Sequence, residues 1–185
     1  LGTDHILSGF DHLLFVFALL LLIHDWRRLV GAITAFTIAH SITLALAALG
    51  HVSISGPPVE AIIALSVVFL AIEIIKRDGS QSRLSERAPW MVSFAFGLLH
   101  GLGFAGALQE IGLPEVDIAL ALLAFNLGVE AGQLTFVAVI LIVGFVLWKV
   151  VTNVAKVMPH LRRASNTLAG YGIGVIATYW LAERL

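Results

Sequence analysis

The sequence predicts an all-α fold, a polytopic membrane helix bundle, and three observations lead there. Of 185 residues, 59% are hydrophobic and only 12% are charged, against about 45–50% and roughly 25% in soluble globular domains. Half the usual charge cannot cover the surface of a water-soluble particle, which excludes a cytosolic enzyme. The mean hydropathy is +0.97, and the apolar residues gather into six stretches of the length a bilayer crossing needs, about 20 residues. Net charge is −1, so no basic excess draws a nucleic acid. Cysteine is absent, which removes disulfides, thiolate metal sites and cysteine nucleophiles.

The expected spans are approximately 5–23, 29–49, 59–75, 90–111, 116–150 and 164–181, within one transmembrane domain covering 1–185. On the first, His5, Ser8, Gly9 and His12 follow i, i+3, i+4, i+7 spacing and share a face of one helix, with Asp11 beside His12. Two imidazoles and a carboxylate within two turns suit a divalent metal such as nickel, zinc, copper or iron. The plainer alternative is a pair of interfacial histidines at a helix start. The second span carries Thr34, Thr37 and Ser41 on one face with His40 beside them near mid-span. Hydroxyls alone are usually interhelical glue, whereas a histidine at that depth points to function.

Gly56-Pro57-Pro58 separates the second and third spans, with prolines suited to a helix start. Glu60 then reads equally as a carboxylate complementing the helix dipole or as an entrance ligand. Glu73, near Lys76 and Arg77, reads as an ion pair at the cytoplasmic edge, and Asp78-Gly79-Ser80 opens the one properly polar loop. In the fourth span, Gly97 and Gly101 form a Gly-x-x-x-Gly pair that admits a neighbouring helix, and His100 lies between them. Gly112-Leu113-Pro114 ends that span. The fifth is about 35 residues, or about 52 Å as a helix, so it is a tilted helix that projects or a span with an interfacial segment. Asn126, Glu130 and Gln133 form one polar stripe on it at i, i+4, i+7. Glu130 lies about 21 Å inward by helical rise, where a metal, proton or histidine partner is expected.

Ten of the 11 Lys and Arg residues fall in or beside the first, third and fifth connectors. The positive-inside rule places those connectors in the cytoplasm and both termini outside. A chain that starts at Leu1 and enters the membrane at once fits a removed signal peptide or a trimmed extracytoplasmic segment. By depth, Asp11, His12, His40, His100, Asn126 and Glu130 all fall between the outer surface and the middle. They predict one site opening outward. His24, His51 and His160 lie in connectors and read as solvated.

The strings His5-Ile-Leu-Ser-Gly-Phe-Asp11-His12-Leu-Leu-Phe, Phe36-Thr-Ile-Ala-His40-Ser41-Ile-Thr-Leu, Val59-Glu60, Phe96-Gly-Leu-Leu-His100-Gly and Phe125-Asn126-Leu-Gly-Val-Glu130-Ala-Gly-Gln133 resemble the HupE/UreJ family over nearly the whole chain. These are membrane proteins linked to hydrogenase and urease maturation, some regarded as nickel permeases. The first motif also resembles that of nickel/cobalt transporters, although the family often opens it His-Pro and here Ile6 follows His5. The resemblance implies a multi-pass protein of the bacterial inner (plasma) membrane. It implies that His5, Asp11 and His12 recognise the metal and that His40, His100 and Glu130 complete the site or relay from it. Glu60, Asn126 and Gln133 are the supporting polar groups.

The leading expectation is therefore a metal-ion permease with nickel as substrate. With 185 residues and no polar cluster in the inner third, a homo-oligomer could supply what one chain lacks. A second expectation is a zinc-dependent intramembrane hydrolase. Three histidines and Asp11 would activate water there, with Glu130 as acid or base and Ser41 beside His40. A third is an accessory or anchor protein for metalloenzyme maturation.

Overall fold

The computed structural model describes residues 1–52, 56–76, 84–111, 117–151 and 160–185. Every element among them is a helix: α1 (Gly2–Ser8), α2 (Phe10–Leu22), α3 (Trp26–Ala48), α4 (Gly56–Ile75), α5 (Leu84–Arg87), α6 (Pro89–Ile111), α7 (Ile118–Val151) and α8 (His160–Glu183). In hydrocarbon a helix satisfies its own backbone, which is why apolar runs resolve this way. Among the described residues α3, α4 and α7 are each long and apolar enough to cross a bilayer, and α1 with α2 makes a fourth candidate as a bent pair. The protein is a helical membrane protein. The polar turns Asp78-Gly79-Ser80 and Gly112-Leu113-Pro114, and the basic residues Arg77, Arg83 and Lys156, lie outside the described residues, as do the side chains of His160, Arg162 and Arg163.

The first span departs from expectation. It is two helices that meet at Gly9 with a bend of 79°. The 13 residues of α2 measure about 20 Å, too short for a crossing alone. Gly9 permits the break: a Cβ there would lie 2.7 Å from His12 Nδ1 and 2.9 Å from the His5 carbonyl oxygen. The segment α1 turns onto α7, where Gly128 and Gly132 admit the backbone of Gly2 and Thr3. The Thr3 hydroxyl donates to the Gly128 carbonyl at 3.0 Å.

The other helices begin and end where local chemistry directs. Asp25 caps α3, its carboxylate accepting from the backbone N–H of Arg27 at 2.8 Å. Gly50 follows α3 with φ +74, the left-handed turn that commonly closes a helix. The fifth stretch is one unbroken helix of 34 residues, about 51 Å long. Its C-terminal part is exposed on every side from Leu141 to Leu147. Glu73 is buried and accepts from the backbone N–H and hydroxyl of Ser85, tying α5 to α4.

Named contacts establish relative directions. Phe36 and His40 of α3 lie against Gly97 and Gly101 of α6, so those helices run parallel; a Cβ on either glycine would collide with the facing carbonyl. Phe69 meets Phe96 and Ile63 faces Gly103, so α4 runs against α6. Ile74 abuts Gly170 while Glu60 meets Arg184, so α4 also runs against α8. Phe15 packs on both Phe36 and Phe96, with His12 near His40 and His100, so α2 opposes α3 and α6. Hydrogen bonds of α7 to α3 give the same antiparallel sense. Thus α2, α4 and α7 point one way and α3, α6 and α8 the other. The apolar core of Phe15, Leu19, Leu22, Ile33, Phe36, Val67 and Leu70 lies beside a polar cluster that begins at His12.

Candidate metal centre

Four histidines from four helices converge. The His12 ring lies 4.7 Å from His5, 5.0 Å from His100 and 6.3 Å from His40, centroid to centroid. In His5, His12 and His40 one ligand atom each lies within 4.8 Å of the others. On one straight helix the i, i+7 spacing puts His5 and His12 on one face but about 10.5 Å apart along the axis. The bend at Gly9 is what brings them to contact.

Each of three rings is held by its Nδ1. His12 Nδ1 bonds Asp11 Oδ1 at 3.1 Å, and the same oxygen accepts the His12 backbone N–H at 2.9 Å. His40 Nδ1 bonds Asn126 Oδ1 at 3.2 Å. The Asn126 amide is oriented for this because its Nδ2 donates to the Leu122 carbonyl at 2.8 Å. His100 Nδ1 donates to the Phe96 carbonyl at 2.8 Å. All three partners are acceptors, so in the neutral imidazole Nδ1 carries the proton and Nε2 the lone pair. The Nε2 atoms of His12, His40 and His100 are buried and have no hydrogen-bond partner. An orphaned buried acceptor is costly. A cation on such a lone pair would remove the cost, and a histidine whose other nitrogen is anchored is the usual form of a metal ligand. The ligand atoms close enough together to share one ion are those of His5, His12 and His40, with His100 facing His12 from outside that group. The donor set therefore fits a divalent transition metal.

Aromatic walls fix the rings. His40 lies between Phe36 and Phe125, at interplanar angles of 21° and 20°, and His100 touches Phe15 and Phe36. A cavity of about 180 Å³ reaches the cluster, lined by His5, Gly9, Asp11, His12, Glu60, Ile63, His100, Gly103 and Arg184.

The remaining predicted site residues sit elsewhere. Glu130 is outside the group of clustered ligand atoms and accepts from the Thr34 hydroxyl at 2.6 Å. Gln133 is fully buried and accepts from Thr37 at 3.3 Å. Ser41 donates to the Thr37 carbonyl at 2.7 Å. With the His40–Asn126 bond, the polar stripe of α7 is matched to the hydroxyl-rich face of α3. Threonine, rather than histidine, meets the deep carboxylate. Glu60 is half exposed and paired with Arg184, Oε2 to Nε 3.5 Å. His24 and His51 are exposed, as expected of connectors. Two partners went unnoticed in the sequence. One is the Phe96 carbonyl, one helical turn before His100. The other is Arg184, which stood out only as the single positive charge off the basic side.

These features define an all-helical membrane protein with a buried histidine cluster of metal-ligand character. The chain belongs to the HupE/UreJ family: the family model described as "HupE / UreJ protein" matches residues 1–184. Comparison with curated proteins and with solved structures returned no match.

Proposed function

We propose that this protein is a membrane permease for a divalent transition metal, nickel foremost, with an outward-opening intramembrane site. The observation that carries the reading is the trio of imidazoles anchored through Nδ1 with Nε2 buried and unpartnered. A permeating cation must shed water onto ligands that later release it, and neutral imidazoles with nearby carboxylate and amide groups suit that task. Zero cysteines and two methionines speak against a soft copper(I) path. His12 is the central ligand, flanked by His5, His40 and His100. Asp11 and Asn126 orient rings, and Glu130 with Gln133 forms the α3–α7 seam. Six crossings with basic connectors in the cytoplasm accord with the alternating helix directions and open the cavity outward, in a bacterial inner membrane. A homo-oligomer would provide the inner path.

Proteoliposomes holding the protein should accumulate radioactive nickel, and His12→Ala should abolish accumulation while helix content is retained. Equal uptake by wild type and His12→Ala would overturn the assignment. A zinc hydrolase would use the same imidazoles. However, its proton-moving candidates Ser41 and Glu130 are hydrogen-bonded to Thr37 and Thr34, which favours the permease.

A further inference from the structure

The cavity that reaches the imidazoles has charge at its rim. Glu60 stands on the first turns of α4 and Arg184 just beyond α8, and both line the cavity with Asp11 and His12. Arg184 Nε lies 3.5 Å from Glu60 Oε2. A second guanidinium nitrogen donates to the Glu60 backbone carbonyl at 3.3 Å, and the guanidinium carbon stands 5.8 Å from the Trp180 ring centroid. One side chain thus ties the end of α8 to the start of α4. Farther along the same seam, Gly170 and Gly174 pack against Ile74 and Ala71.

We propose that the Glu60–Arg184 ion pair is a latch on the cavity mouth, opened when an entering cation takes the Glu60 carboxylate from the guanidinium. The argument is electrostatic. A guanidinium at the rim repels cations and occupies the carboxylate nearest the entrance. The arriving ion and Arg184 are rivals for one anion, and an ion that wins has already exchanged part of its water for carboxylate oxygen. With Glu60 half exposed, the pair is weak enough to be displaced. The latch deepens the permease reading, and its test does not depend on nickel being carried.

Because the chain has no cysteine, Ile63→Cys introduces a sole thiol. Ile63 lines the cavity three residues past Glu60 and is buried. In the 185-residue chain, the rate of thiol modification is read with a small cationic methanethiosulfonate and with a neutral one of similar size. Arg184→Gln should raise the cationic rate about 2- to 5-fold, the range a partly exposed ion pair supports, and raise the neutral rate less. Glu60→Gln should favour the neutral reagent instead, and Arg184→Lys should stay near wild type. Unchanged rates in Arg184→Gln, at unchanged helix content, overturn the latch. Equal acceleration of both reagents overturns the competition for Glu60. Absence of nickel uptake by the wild-type protein would sink the permease reading and leave these rates to decide the latch independently.

Discussion

Asn126 makes two hydrogen bonds, and together they decide which nitrogen of His40 faces inward. Its amide donates to Leu122 and its carbonyl oxygen holds His40 Nδ1. Outer partners of this kind are worth about 10–100-fold in metal affinity. Asn126→Ala should therefore weaken nickel binding by that factor while the helix content stays as in wild type. Isothermal titration of the purified protein checks it, and unchanged affinity would remove Asn126 from the site. At this scale the sequence was informative by exception. A polar group in hydrocarbon is costly, so His12, His40, His100 and Asn126 stood out against their apolar spans. Their partners were harder to foresee. The Phe96 carbonyl has no side-chain signature, and the Glu130–Thr34 bond depends on how two helices are rotated against each other, which single-span spacing does not contain.

The helices show the same division. The Gly97/Gly101 pair announced a close helix contact, and α3 fills it. The second, third and fifth spans were legible as apolar runs and stand as α3, α4 and α7, and α7 runs unbroken because no proline or polar turn interrupts 118–151. The break at Gly9 was not legible, since the surrounding residues keep a helical spacing. Only packing of α1 against Gly128 and Gly132 turns a permissive glycine into a bend. Gly9→Ala should expose this. Its Cβ would crowd His12 Nδ1 and the His5 carbonyl, and overpacking of this kind costs about 1–3 kcal/mol. If the His12 ring yields, nickel affinity falls about 5- to 150-fold. Titration beside a thermal unfolding curve will show the loss, and wild-type affinity would mean that the bend is not needed for the cluster.

For the whole molecule, the alternation of helix directions and the distribution of Lys and Arg make one joint statement about orientation. His24 precedes α3 and His51 follows it, both exposed. In sealed cells an impermeant thiol reagent should label His51→Cys, and should label His24→Cys only after permeabilisation. The reverse pattern would overturn the proposed orientation and, with it, the outward-opening cavity. The bend at Gly9 acts at this scale too. His5 rides on α1 and His12 on α2, so a cation shared by the two would bridge the bend between these helices. Ion capture and the seating of α1 on α7 are then linked equilibria. Any pull that lifts α1 must weaken ion binding by the same factor by which the ion strengthens the seating. A mechanical load on the first seven-residue helix would be felt as a change in metal affinity at the heart of the bundle.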